Sequence, residues 1–181
     1  MTLQYPLVDV ASLNAPAYGP DLRIAISDTE GSSTAAFFLT IDKNSEPVFE
    51  RHANCEIIAI CIEGEGRKTI GGKTHSVQIG HCMRVPAGIP HYFENTGPVP
   101  MKIVGFCLGA TSPAVNRFEA VEMTEGQPVQ DNAIIHWDDV QPENMDKEEG
   151  WLINDFRLPF GRHNGSKTTL FRAQFFPGAV H

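Results

Sequence analysis

GHCMRVPAGIPHYFEN, residues 80 to 95, sets five positions at fixed spacing: Gly80, Pro86, Gly88, His91 and Asn95. Gly80 opens a tight turn into a short strand, Met83-Arg84-Val85. Pro86 then halts the ladder because it has no N–H to donate, and Gly88 permits a reversal that alanine would resist. The reversal aims the next strand, His91-Tyr92-Phe93, so that its first imidazole points into a sheet interior. The expected result is two short antiparallel strands with a histidine at the start of the second.

Bulk properties narrow the surroundings of this stretch. The chain has 181 residues, enough for one domain with a sizeable core. Thirteen prolines, sixteen glycines and eleven phenylalanines suit an all-β domain with many turns. The net charge of −8, with no cluster of lysine or arginine, argues against nucleic acid and anionic membrane as partners. The opening MTLQYPLVDV has no basic region and no long apolar run, so no signal peptide is expected, and nothing approaches a membrane-spanning length. Cys55, Cys61, Cys82 and Cys107 show no CxxC spacing and read as small buried hydrophobes of a reduced, cytoplasmic protein.

Taken in order, residues 1–20 read as an extended arm, with one strand expected at Pro6–Val10. Strands follow at Leu22–Ser27 and Thr34–Ile41, and Pro47–Glu50 leads into the polar phrase Glu50-Arg51-His52-Ala53-Asn54-Cys55-Glu56. Ile57–Ile62 alternates Ile57/Ala59/Cys61 with Ile58/Ile60/Ile62, so both faces are apolar: one fills a barrel or sandwich, and the other is covered by an arm, a second sheet or a partner subunit. Arg67–Ile70 and Lys73–Ile79 form a hairpin about Gly71-Gly72, a pair suited to the positive φ angles of a two-residue turn. Met101–Leu108 adds one more strand. Short strands at regular spacing predict a sandwich or jelly-roll barrel over residues 21–112. Residues 113–160 read as a connector, with strands at Phe118–Met123 and Ala133–His136 and a short helix starting at Pro142. Residues 161–181 repeat the opening of the first unit: Gly165-Ser166-Lys167-Thr168 and Gly31-Ser32-Ser33-Thr34 each start a Phe-rich strand. They read either as the start of a second copy of the domain or as an extra strand completing this sheet or a neighbour's.

The spacing of residues 80–95 resembles the second conserved motif of the cupin superfamily, with all five fixed positions present. That resemblance implies a double-stranded β-helix, a jelly-roll barrel, and makes His91 a metal ligand. It also raises the possibility of a two-domain bicupin of which this chain is the N-terminal half. The family's first motif carries two histidines separated by one residue, then a glutamate three or four residues on, and a glycine six residues beyond. Anchored on Gly64, those positions fall on Glu50, His52 and Ile57. The chain therefore keeps one histidine, offers Glu50 for the other, and has isoleucine where the carboxylate belongs.

Three outcomes stay open at this point. In the first, Glu50, His52 and His91 bind a divalent transition metal (Fe, Mn, Zn, Ni or Cu) as a two-histidine, one-carboxylate set with positions left for substrate. In the second, a bulge turns Glu56 inward to restore the carboxylate, against strict alternation. In the third, the metal is absent and the pocket is apolar at Ile57. Arg84 and Tyr92 are candidates for the pocket rim, and Phe49 and Phe93 for its wall. His81 and His75 are expected to face outward, His136 and His163 to lie in the connector, and Glu63 and Glu65 to be solvated turn residues.

The family includes oxygenases, isomerases, cyclases, lyases and non-catalytic binders, so the resemblance implies a metal-dependent enzyme acting on a small oxygenated or aromatic metabolite, dioxygenase-like. The competing reading is a metal-free domain for dimerisation or small-molecule binding that supports a second cupin. A homodimer is expected under either, from the second apolar face at Ile58, Ile60 and Ile62.

Overall fold

Alternation along the strands decides which side chains meet. The computed structural model describes residues 8–14, 21–27, 31–47, 50–109, 133–144, 153–175 and 177. Its strands are β1 (Asp21–Ile26), β2 (Thr34–Ile41), β3 (Glu56–Glu63), β4 (Glu65–Ile70), β5 (Lys73–Gln78), β6 (His81–Val85), β7 (His91–Asn95), β8 (Met101–Leu108), β9 (Ile134–His136), β10 (Ile153–Phe160) and β11 (Leu170–Phe175). A six-stranded sheet in the order β1-β2-β8-β3-β6-β9 faces a three-stranded sheet in the order β5-β4-β7, and β10 pairs with β11. All pairings are antiparallel. The architecture is all-β, a jelly-roll barrel.

The interior is filled by inward residues two apart on the larger sheet, Phe37, Leu39 and Ile41 of β2, Ile57, Ala59 and Cys61 of β3, and Met83 and Val85 of β6, and from the smaller sheet by Ile70 of β4 and Val77 of β5. Burying the larger of these, the Phe, Leu, Ile, Met and Val side chains, stabilises by roughly 1.5–3 kcal/mol each. Between β6 and β7 the turn expected from the sequence is present. Gly88 takes a φ of +80°, and its N–H donates to the carbonyl of His52 at 2.8 Å, tying the β6–β7 turn to the segment before β3. Gly80, at φ +92°, packs where a Cβ would run into His136 and Trp137, so this position excludes a side chain on two grounds.

The opposite face of β3 and β6 is covered by the chain's own later segments. Ile58 and Cys82 pack against Phe160, with Ile135 and Leu170 beside them. Much of the second apolar face is therefore buried within the chain; Ile62 and Phe106 stay exposed, at 41% and 38%.

Several expectations are corrected. Residues 8–10, the described part of the first expected strand, form no strand; Val10 opens a three-residue 3-10 turn, Val10–Ser12, whose carbonyls at Val10 and Ala11 accept from the Arg23 guanidinium. Within the stretch read as a connector, Ile134–His136 joins β6 as β9, but Ile153–Phe160 is also a strand. It forms a hairpin with Leu170–Phe175, so that last strand pairs with its own neighbour in sequence and not with the barrel. Residues 118–123 and the helix expected after Pro142 fall largely or wholly outside the described residues; Pro142–Asn144 are not helical, and the short helical turn lies earlier, at Trp137–Asp139. The cysteines are not all separate hydrophobes. Cys55 and Cys107 form a disulfide with Cα atoms 5.8 Å apart, while Cys61 and Cys82 are free and buried. Neither local spacing nor motif points to that pair, which lies 52 residues apart in sequence.

Candidate functional site

Glu50 and His91 face each other in an isolated antiparallel bridge, exchanging two backbone hydrogen bonds of 2.8 Å. His52 lies two residues beyond Glu50, so extended backbone carries both side chains to one side. Glu50, His52 and His91 each offer a ligand atom, and these atoms lie within 4.8 Å of one another. The His52 Nε2 stands 3.6 Å from Glu50 Oε2, and the two imidazole centroids are 5.4 Å apart. Both rings are buried, at 2% and 3% exposure, while Glu50 is partly open to solvent.

The hydrogen bonding of the two histidines differs. His91 Nδ1 lies 3.1 Å from the Ile89 carbonyl, which only accepts, so the Nδ1 proton donates and Nε2 keeps its lone pair. Burial, then the nearby Lys68, hold the His91 imidazolium well below its usual range, which leaves the ring neutral. Neither ring nitrogen of His52 has a hydrogen-bond partner. A buried imidazole without partners is costly, roughly 1–3 kcal/mol, and such groups are rare in folded proteins.

A fourth polar residue enters from β4. Lys68 is 1% exposed, its Nζ sits 3.5 Å from the centroid of the Phe93 ring, and it interacts electrostatically with Glu50. Burial pushes its amine well below the usual lysine range, and Glu50 pulls it partly back. The sequence analysis missed Lys68. The alternation Gly66, Lys68, Ile70 places it on the buried face of β4, but a lysine in a hairpin strand reads as solvated until the sheet closes.

Two small cavities flank the bridge. One of about 30 Å³ is lined by Glu50, Ile57, Lys68, His91 and Phe93 among others, and one of about 20 Å³ by Glu50, His91, Tyr92 and Phe93. Space of that size takes an ion with about two waters, and not a metabolite. Tyr92 and Phe93 thus line this region, whereas Phe49 lies outside the described residues.

Arg84 belongs elsewhere. It is paired across the ladder with Ile58, on the outer face, and its Nε and Nη2 donate to Glu56 Oε2 at 3.0 and 2.9 Å. Glu56 Oε1 accepts from Ser166 Oγ at 2.8 Å, and Arg84 also donates to the carbonyls of Asn164 and Gly165. Arg84 is therefore not at the pocket rim, and Glu56 does not turn inward. Alternation holds: Ile57 faces the barrel interior and Glu56 the C-terminal hairpin. Among the other histidines, His81 stacks edge-on with His136, 4.9 Å between centroids, on β6 and β9, and His75 is half-buried where exposure was expected.

The cluster fits a metal on its own chemistry. It has one neutral imidazole with a free lone pair, one imidazole with no hydrogen-bond partner, and one carboxylate, converging beside a space of ionic size.

The profile described as cupin domain matches residues 37–107, which hold the barrel strands β2 to β8 up to Cys107. Over those residues the chain carries a cupin domain. It is 33% identical over 60 residues to an uncharacterized protein of Methanocaldococcus jannaschii, a match spanning 33% of this chain and 48% of that protein. The chain thus aligns with about half the length of that relative. Among solved structures, it resembles a predicted oxalate decarboxylase of Thermotoga maritima with a TM-score of 0.52 and 15% identity, covering 57% of this chain and 98% of that one. It also resembles the polyketide cyclase RemF of Streptomyces resistomycificus, with a TM-score of 0.50 and 17% identity over 57% of this chain and 79% of that one. At such identity the likeness concerns the fold. No helix among the described residues is long and apolar enough to cross a membrane.

Proposed function

We propose that this is a metal-dependent cupin enzyme in which Glu50, His52 and His91 hold a divalent transition metal and act on a small oxygenated or aromatic metabolite, dioxygenase-like. The observation that carries the reading is His52, an imidazole buried to 2% with both nitrogens unpartnered, inside a three-residue ligand set. When bound, the metal would chelate and polarise an oxygen donor. The residues of the chain supply the rest. The Ile89 carbonyl orients His91, the Gly88 N–H fixes the backbone of His52, and Phe37, Leu39 and Ile57 keep bulk water from the interior. Lys68, adjacent to Glu50 and short of protons for a lysine, accepts or returns a proton at Nζ, or offsets a substrate carboxylate. A metabolite larger than the cavities enters only when the Glu50–Glu46 side, lined by Ser45 and Tyr92, moves outward.

A second reading is favoured by Lys68 itself. Its amine lies among Glu50 and His91, and Ile57 stands where the family's carboxylate would be, so the ligand set is short of one carboxylate and the amine takes up interior space beside it. The domain then is non-catalytic and serves binding or dimerisation. Under both readings a cytoplasmic homodimer is expected, with the exposed Ile62 and Phe106 as the candidate contact.

Elemental mass spectrometry of the purified chain tests the choice. Near-stoichiometric metal, lost in both His52→Ala and His91→Ala, supports the enzyme. A chain that takes up no metal after reconstitution with Fe(II), Mn(II), Zn(II), Ni(II) or Cu(II) leaves the second reading.

A further inference from the structure

His52 belongs to two ligand sets, not one. Besides Glu50 and His91, it lies with Cys55 and Cys107, and the ligand atoms of that second trio also fall within 4.8 Å of one another. All three residues are buried: His52 to 2%, Cys55 to 1% and Cys107 to 0%. Cys55 immediately precedes β3 and Cys107 is opposite Ile57 on β8, and both belong to the core that fills the barrel interior. The sulfurs are joined in the structure, and the imidazole beside them has no hydrogen-bond partner at either nitrogen.

We infer that the Cys55–Cys107 disulfide is a redox-controlled cap on a second metal site, and that its reduction exposes a His52–Cys55–Cys107 centre for a soft cation, Zn(II) or Cu(I). The inference stands without the Glu50–His52–His91 reading, since it needs only the thiols and the unpartnered imidazole. Two thiolates and one imidazole select soft or borderline metals over Fe(II) and Mn(II), and three protein ligands leave a fourth position open. Around a tetrahedral ion, metal–sulfur bonds near 2.3 Å and metal–nitrogen bonds near 2.0–2.1 Å put donors about 3.5–3.8 Å apart. To meet that, the sulfurs must separate by about 1.7 Å once their bond is broken, and the imidazole must close on them by at most about 1 Å.

The chemistry balances with a thiol reductant. A small-molecule dithiol gives two electrons to the Cys55–Cys107 bond, which breaks, and closes to its own cyclic disulfide; its two protons appear on the protein thiols. Metal binding then displaces those two protons to solvent, and two thiolates beside a divalent ion leave no net charge among the buried trio. Because His52 serves both sets, occupation of the thiolate site removes one ligand from the Glu50–His91 side. Reduction therefore switches His52 from a histidine–carboxylate set to a thiolate set.

The test uses Co(II) and Zn(II) on the full chain, prepared oxidised or reduced with excess dithiol and then freed of it under inert gas. Thiol titration in denaturant should count two free cysteines in the oxidised form, Cys61 and Cys82, and four in the reduced form. The reduced protein is expected to give a near-ultraviolet thiolate-to-Co(II) charge-transfer band that the oxidised protein lacks. It should also bind Zn(II) at least tenfold more tightly than the oxidised form. Cys107→Ser should abolish the band and Cys61→Ser should leave it; His52→Ala should weaken Zn(II) binding, while Glu50→Gln and His91→Ala retain the band. Circular dichroism verifies that each variant is folded, and Cys55→Ser serves if Cys107→Ser is not. A folded, four-thiol protein without the band overturns the proposal. So does a band that survives Cys55→Ser or Cys107→Ser, or a disulfide that the dithiol does not reduce in the folded chain. The Glu50–His52–His91 site is read separately, by Mn(II) binding to the oxidised form, so the two assignments fail independently.

Discussion

Two buried charged clusters sit on opposite faces of the same sheet, and they are built differently. On the outer face, Glu56 accepts from Arg84 and Ser166, and Arg84 donates onward to two backbone carbonyls of the C-terminal segment. Every charge there has a partner across a long sequence separation. On the inner face, Glu50, His52, His91 and Lys68 converge around small cavities, with His52 unpartnered and both Lys68 and His91 pushed by burial toward their neutral forms. The first cluster fastens the hairpin β10–β11 to the barrel. The second leaves both ring nitrogens of His52 without a hydrogen bond in a buried interior, an arrangement that stability alone does not favour.

Breaking the outer cluster should have the largest effect on stability. Arg84→Ala leaves Glu56 buried without its cation and is expected to cost about 3–5 kcal/mol, while the double variant Glu56→Leu with Arg84→Met recovers most of that. Urea denaturation of the two variants measures the difference; equal loss in both would show that packing, and not the uncompensated charge, sets the cost.

The inner cluster should respond in the opposite sense. His52→Leu removes an unpartnered polar group, so stability without metal is expected to hold or rise by up to about 2 kcal/mol, while metal affinity falls by about 100-fold or more. A variant that binds metal as the parent does would take His52 out of the site.

Titration sharpens the contrast further. Lys68 has a folded-state pKa below its unfolded value of 10.5, so across the interval between them the unfolded chain holds more protons. Metal-free stability then rises with pH through that window, by up to about 1.4 kcal/mol per pH unit, and Lys68→Met should flatten the rise. His91 acts at the acid end. Its folded-state pKa also lies below the unfolded 6.5, so stability is lost as pH falls beneath about 6.5 and the unfolded ring takes up a proton. Denaturation curves from pH 5 to 10 on both chains would show the two slopes; a Lys68→Met profile parallel to the parent's above neutrality would mean the amine stays protonated in the fold.

The smallest effect is expected at the turn that joins the two ligand segments. Gly88→Ala meets no atom within 4 Å, so only the positive φ resists it, at about 1–2 kcal/mol. A much larger loss, seen as a thermal shift, would mean that the Gly88 N–H to His52 contact holds the inner cluster together.

Much of the fold was legible because strands have a period of two and turns a specific chemistry. The strands Thr34–Ile41 and Met101–Leu108 fall where the sequence puts them, and the Gly71-Gly72 turn lies between β4 and β5. The alternation of Glu56 and Ile57 was enough to send them to opposite faces. What lay beyond local pattern was missed: Arg84 reads as a rim residue until Glu56, 28 positions away, is found beside it. Residues 153–160 read as connector because their partner strand lies at 170–175 and their apolar cover, Ile58, is nearly a hundred positions earlier.

The sequence by itself determined an all-β domain of short strands, the turn that presents His91, and the placement of Glu50 and His52 on one side of an extended segment, while the jelly-roll barrel was what the resemblance to cupins implied. These follow from φ-permissive glycines, proline's missing donor and strand alternation, all of which act over a few residues. Only the tertiary structure decided that Lys68 is interior, that Cys55 meets Cys107, that Glu56 is claimed by Arg84 and Ser166, and that His52 is left without a partner. Those outcomes depend on which sheet closes over which face, and burial and pairing at that range are properties of the closed barrel, not of any segment within it.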